Sequence, residues 1–142
     1  MFSKSCKYAI RSILFLAIYA SEEHKMGVDD LAAKLDVPKH FLAKILQQLT
    51  RRGLISSVKG RNGGFFLTEE NSNSNLLKVI ESIDGPKAFK ECVLGMTECS
   101  SNNPCPYHSA VRHYRDQLLI LIREETIRES AARIVLNNLK IR

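Results

Sequence analysis

From Gly53 to Thr68 the chain reads G-L-I-S-S-V-K-G-R-N-G-G-F-F-L-T. Two short apolar runs, Leu54-Ile55-Ser56-Ser57-Val58 and Phe65-Phe66-Leu67-Thr68, flank the turn Lys59-Gly60-Arg61-Asn62-Gly63-Gly64. β-Branched and aromatic residues on both sides of a glycine-rich turn read as the two strands of a hairpin. The glycines supply the positive φ angles that a hairpin tip requires, and Lys59 and Arg61 project from it. On its own this is a surface hairpin like many others; what precedes it in the chain decides its meaning.

Upstream, Asp29-Asp30-Leu31-Ala32-Ala33-Lys34-Leu35 places Leu31, Ala32 and Leu35 on one helical face and two acids near its positive N-terminus. Asp36-Val37-Pro38 interrupts it, and a second helix is expected from about Pro38, since proline is tolerated in a first turn. Phe41, Leu42, Ile45, Leu46 and Leu49 form the apolar stripe of this second helix, and Gly53 ends it. Two helices joined by a three-residue turn, with small Ala32 where they cross, describe a helix-turn-helix. Any packed helix pair shares that much. Here, however, His40, Lys44, Gln47 and Gln48 lie away from the apolar stripe, a free side that carries donors suited to phosphates and base edges, and no acid. With the basic hairpin directly after it, the unit reads as a winged helix.

Charge supports this reading by its location. Lys34, Lys39, Lys44, Arg51, Arg52, Lys59 and Arg61 stand against the single acid Asp36, while the other 114 residues balance 14 basic against 14 acidic, so the chain's net +6 lies in this window. A basic block coinciding with a helix-turn-helix and wing is the electrostatic footprint of a nucleic-acid binder. The expected DNA-binding residues are Lys39, His40, Lys44, Gln47, Gln48, Lys59 and Arg61.

The flanks read as scaffold and assembly. At 142 residues, with 44% apolar content, the chain can bury one ordinary core. Lys4 and Lys7 before the apolar run Ile13 to Ala20 loosely imitate a secretory signal, but Arg11 interrupts it and bulky Ile18 occupies the −3 position of a cut after Ala20. The stretch reads as a buried helix and the chain as cytoplasmic, without a membrane span. Leu76 to Ile83 is a short amphipathic helix ending before Gly85-Pro86. A longer helix from about Ser109 to Glu125 carries Val111, Tyr114, Leu118, Leu121 and Ile122 on one side and Leu119 and Ile120 elsewhere. That is more apolar surface than one small core covers, which points to a homodimer, a buried intrachain hairpin being the alternative. Thr126-Ile127-Arg128-Glu129 has the form of a capping box, so a last helix is expected to begin there.

Between these helices, Cys92 to His108 reads C-V-L-G-M-T-E-C-S-S-N-N-P-C-P-Y-H. Gly95, Asn102, Asn103, Pro104 and Pro106 make it a loop. Three thiols, Cys92, Cys99 and Cys105, followed by the imidazole of His108, have the makings of a four-ligand metal or iron–sulfur site. A Cys3His set serves structural zinc equally well, an empty site in a DNA-binding regulator is a further alternative, and His108 has the plainer alternative of capping a helix or lying on the surface. Cys6, on the apolar face of the first helix, reads as a small hydrophobe. A thiol redox enzyme or electron carrier is the remote alternative and is poorly supported: there is no C-x-x-C, no nucleotide-binding glycine fingerprint, and no carboxylate pair at pocket-like spacing.

The segments K-Y-A-I-R-S-I-L and R-R-G-L-I-S-S-V-K-G-R-N-G-G-F-F-L, together with the late cysteines, resemble the winged-helix repressors of the iron–sulfur-cluster-regulator and nitric-oxide-sensing-repressor family. The resemblance runs through nearly the whole chain. It implies a homodimer on palindromic double-stranded operator DNA, with an iron–sulfur cluster as sensing element and the long helix paired with its symmetry mate. Cys92, Cys99 and Cys105 match the three family cysteines, and His108 matches the fourth ligand of members that hold a 2Fe–2S cluster. Other members take the fourth ligand from an acid in the partner subunit's first helix, where this chain offers Lys7, Tyr8 and Arg11. The resemblance therefore favours 2Fe–2S over 4Fe–4S, in a cluster open to loss during aerobic purification.

The expectation is a mainly α fold: a winged helix-turn-helix over 1–83, a cysteine-rich cluster loop over 84–108, and a helical dimerisation region over 109–142.

Overall fold

The computed structural model describes all residues 1–142. Seven helices and one two-stranded antiparallel sheet follow in the order α1 Lys4–Tyr19, α2 Val28–Leu35, α3 Lys39–Arg51, β1 Ser56–Val58, β2 Gly64–Phe66, α4 Glu69–Ser72, α5 Leu76–Asp84, α6 His108–Glu124 and α7 Ile127–Leu136. No helix is long and apolar enough to cross a membrane.

Helix α1 is the central post. Ser3 caps it by accepting from the Cys6 N–H, and the Ser3 N–H donates to Asp84 at the far end of α5. Its apolar residues Ala9, Ile13, Leu14, Phe15 and Leu16 join Leu31, Ala32 and Leu35 of α2 and Leu42, Ile45, Leu46 and Leu49 of α3 in one buried core. Burying each large side chain is worth roughly 1.5–3 kcal/mol, so this apolar pattern is what drives the head to fold. Pro38 stands at the N-cap of α3, one step before its expected first-turn place, and Asp36 closes α2 in the left-handed region at φ 52°.

One stripe residue departs from expectation. Phe41 is 52% exposed, while Leu42, Ile45, Leu46 and Leu49 are buried. It precedes Leu42 by roughly 100° around the helix, at the rim of the stripe. The expectation that it belongs to the core is therefore corrected.

The wing is shorter than its apolar runs, because Leu54 and Ile55 turn inward into the core. Its register pairs Ser56 with Phe66, Ser57 with Phe65 and Val58 with Gly64. Met26 adds an isolated antiparallel bridge to β2 by exchanging both backbone hydrogen bonds with Phe65, at 3.0 and 2.8 Å. Two glycines make this packing possible: a Cβ on Gly63 would lie 2.1 Å from the Val58 carbonyl oxygen, and one on Gly64 would press on the Met26 backbone.

Helix α7 returns to the head instead of standing apart with α6. Ile127 is fully buried in the main core, and its N–H donates to the Ser74 carbonyl at 2.8 Å. Thr126 forms the expected capping box with Glu129. Helix α6 leans on α5 through Ile122, near Cys6, Ile80 and Ala88, and leaves Tyr114, Ile120 and Leu121 exposed. Residues 85–107, between α5 and α6, contain no helix or strand.

Candidate nucleic-acid interface and cysteine site

The free side of α3 carries Lys39, His40, Phe41, Lys44, Gln47 and Gln48, all exposed, and Lys59 and Arg61 are exposed on the wing. A cleft of about 670 Å³ between helix and wing is lined by Gln47, Thr50, Arg51, Ser57 and Lys59 among others. Arg51 thus joins the basic surface. The expected set is not uniformly available. Lys39 pairs with Asp29 at 2.6 Å, both side chains largely solvated, an interaction of small worth. Gln48 turns toward α5 and donates to the Ser82 carbonyl. Lys44 and Gln47 have no such partner, which leaves them the free donors in the middle of the helix.

A residue outside that set fixes how the wing stands against α3. The buried amide of Asn71 donates to the Gly53 carbonyl at 2.8 Å, while its oxygen accepts from Ser56 Oγ at 2.8 Å and the Thr68 N–H at 2.9 Å. One side chain ties the turn after α3 to β1 and to the chain just beyond β2. Nothing in the sequence around Asn71 sets it apart from the polar residues beside it.

In the loop, Cys92 and His108 are buried and Cys99 and Cys105 half-buried. The four stand as two pairs. Cys99 Sγ lies 3.3 Å from His108 Nδ1, while Cys105 faces Cys92. No three of the chain's His, Cys, Asp and Glu side chains converge as a metal-holding group in this arrangement. The Cys92 thiol is held below its ordinary range by the backbone N–H groups of Leu94 and Met96, helped by Cys105 and the positive charge of Arg115. His108 Nε2 lies 3.2 Å from Ser101 Oγ, which accepts from Arg112 at 2.9 Å.

Arg115 is buried and donates to Cys99 Sγ at 3.2 Å and to the Glu91 carbonyl at 2.6 Å, while its Nε has no partner. A buried cation against the Cys99 sulfur calls for negative charge nearby. Thiolates bound to a cationic centre, with the soft donors sulfur and imidazole, meet that need, so the residues present fit a thiolate-ligated metal or cluster. Arg115 was open to sequence reasoning in one respect only: it follows His108 by seven residues, two helical turns, and so shares its face.

A helix-turn-helix with an attached wing, its positive charge gathered on those two elements, defines a winged-helix DNA-binding regulator. The pattern of the Rrf2 family, described as iron-dependent transcriptional regulators, matches residues 2–133, and the chain belongs to this family. The transcriptional regulator NsrR of Geobacillus kaustophilus is 28% identical over 122 residues, 85% of this chain and 82% of that protein. IscR of Escherichia coli O1:K1 is 26% identical over 123 residues, covering 87% and 75%. The structure of CymR (YrzC), the global cysteine regulator of B. subtilis, matches the fold with a TM-score of 0.73 at 19% identity, covering 94% of this chain and 97% of that one. These relatives are transcriptional regulators and not enzymes, as the sequence led us to expect.

Proposed function

We propose that this chain is a homodimeric transcriptional repressor whose operator binding is set by an iron–sulfur cluster on Cys92, Cys99, Cys105 and His108. The observation that carries the reading is the Cys99–His108 contact at the first residue of α6. A cluster held there anchors the loop directly to the start of the long helix. That helix leaves Tyr114, Ile120 and Leu121 exposed along the surface on which a second copy would pack.

In this reading α3 enters the major groove with Lys44 and Gln47 toward the bases, while Lys59 and Arg61 on the wing and Arg51 beside it meet phosphates. Two heads related by a two-fold axis would read a palindrome with half-sites about one helical turn apart, or a multiple of it. When bound, the cluster supplies redox-sensitive charge and an ordered loop; the family resemblance favours the 2Fe–2S form. The chain's own residues hold it through three sulfurs and one imidazole nitrogen, orient His108 through Ser101, and place Arg115 against Cys99. Ordering a glycine- and asparagine-rich loop at the root of α6 biases the dimer toward one spacing of its heads.

The test is anaerobic iron and sulfide stoichiometry with an absorbance spectrum, joined to operator titrations with and without the cluster. Iron and sulfide in equal amounts, with a visible chromophore and altered operator affinity, support the proposal. A colourless protein holding only zinc would assign the same ligands a structural role and overturn it.

A further inference from the structure

We propose that Arg115 is a positioning residue for this site, holding the Cys99 sulfur and offsetting the negative charge of a thiolate-ligated cluster. The inference rests on the cluster reading above and extends it to a residue outside the ligand set. Arg115 is 7% exposed on α6, yet it forms no ion pair with any carboxylate. Arg112, one turn away, shows the ordinary alternative: it is exposed and pairs with Asp116 at 3.8 Å. Arginine is rarely buried without a counter-charge, because an uncompensated buried ion is strongly destabilising. The guanidinium's hydrogen-bond partners are the Glu91 carbonyl oxygen and the Cys99 sulfur, and Nε remains unsatisfied. An anion at the sulfurs is what completes this environment.

The two hydrogen bonds give Arg115 a geometric task as well. Glu91 adjoins Cys92, so one planar fork links the backbone beside the Cys92–Cys105 pair to the sulfur of the Cys99–His108 pair. A fork of this kind holds both halves of the loop at once, which a single-point ammonium does not. Its charge and N–H donation to sulfur are among the means by which a protein sets a cluster's potential. Reduction adds one electron to the cluster and makes it more negative, so a fixed cation beside Cys99 favours the reduced state and raises the midpoint potential.

The experiment uses the full chain, reconstituted anaerobically, in three forms: wild type, Arg115→Met and Arg115→Lys. Cluster loss to excess chelator is followed by absorbance, and the midpoint by a redox titration. For Arg115→Met, loss should speed by about 10–100-fold, in line with the loss of an outer-shell partner. Its midpoint should also fall, by ~59 mV for each tenfold drop in the equilibrium constant for one-electron reduction of the cluster. Arg115→Lys keeps the charge and loses the fork, so it should lose the cluster faster while its midpoint stays near that of the wild type. A purely structural role would not separate the two variants in this way. Unchanged loss rates and midpoints in loaded variants overturn the assignment of Arg115 alone. Should Arg115→Met fail to fold, a wild-type loss rate in Arg115→Lys overturns it. A wild type that retains no iron and sulfide overturns the cluster reading first, and that outcome is read without either variant.

Discussion

In the head, Leu42, Leu46 and Leu49 of α3 are fully buried against α1 and α2, and Asn71 pins the wing to the same unit with three hydrogen bonds. In the cysteine loop, Val93, Leu94 and Met96 are 59%, 52% and 49% exposed, and residues 85–107 have no regular structure. The head draws its order from apolar burial that it completes by itself. Ala88 and Phe89 pack near Cys6 and Ile80, and two of the four candidate ligands are buried, but the stretch from Val93 to Met96 leaves its apolar side chains largely in solvent. Beyond Phe89 the loop is tied to the rest of the chain mainly by polar contacts, among them those of Arg115 with the Glu91 carbonyl and Cys99. The head is held by a packed apolar core, and the proposed sensing part by polar contacts and a bound group in the reading above.

The contrast can be broken most directly by deletion on each side. Leu46→Ala should cost about 2–5 kcal/mol in denaturant unfolding, as a truncation in a packed core does. Leu94→Ser in the cluster-free protein should stay within about 0.5 kcal/mol of wild type. A large loss from Leu94→Ser would show that the loop supports the fold.

A second comparison separates stability from operator choice. Serine at Cys92, Cys99 and Cys105 together should leave head stability unchanged, abolish the chromophore, and shift operator affinity by about 5–150-fold, the span of a 1–3 kcal/mol coupling. Anaerobic fluorescence anisotropy of the variant against cluster-loaded wild type measures it. Unchanged affinity there would make the site structural.

Within the head, the side chains proposed to face DNA should sort by kind. Gln47→Ala should cost about 1–3 kcal/mol at one operator position and relax specificity there. Lys59→Ala should weaken binding to all sequences and reduce the salt slope by about one unit. Gln48→Ala should do less than Gln47→Ala, because the Gln48 amide is already bonded to the Ser82 carbonyl. Equal losses from the two glutamines, measured across an operator mutant series, would argue that Gln48 swings free on binding.

The smallest effect concerns α7, which joins the head core although it follows the long helix. Thr126→Ala should cost about 1 kcal/mol through loss of the cap. The backbone N–H and hydroxyl of Thr126 hold the Glu129 carboxyl below its ordinary range. Because the folded value is the depressed one, this contribution is present above the unfolded carboxylate range and disappears as pH falls through the folded value. Acid unfolding curves of wild type and Glu129→Gln should therefore converge at low pH and differ near neutrality.

What could be read in the sequence follows from periodicity and from residue types with few other uses. The α2–α3 pair, the glycine hairpin, the Thr126 capping box and the basic window are local patterns, and the helices, the wing and the family followed from them. The four candidate ligands were legible by chemistry, since cysteines clustered in a loop have a short list of uses. Phe41 was misplaced because a rim position looks apolar in a helical stripe, whichever way the neighbouring helix packs. Only the tertiary structure decided that α7 returns to α1, that Asn71 joins the wing to α3, and that Gln48 is engaged with α5. It alone brought Arg115 to Cys99, sixteen residues away in the chain. Local pattern determines which elements form, because it rests on neighbours a few residues apart. Which polar side chains meet depends on where the packed helices leave them, and no short stretch of sequence contains that information.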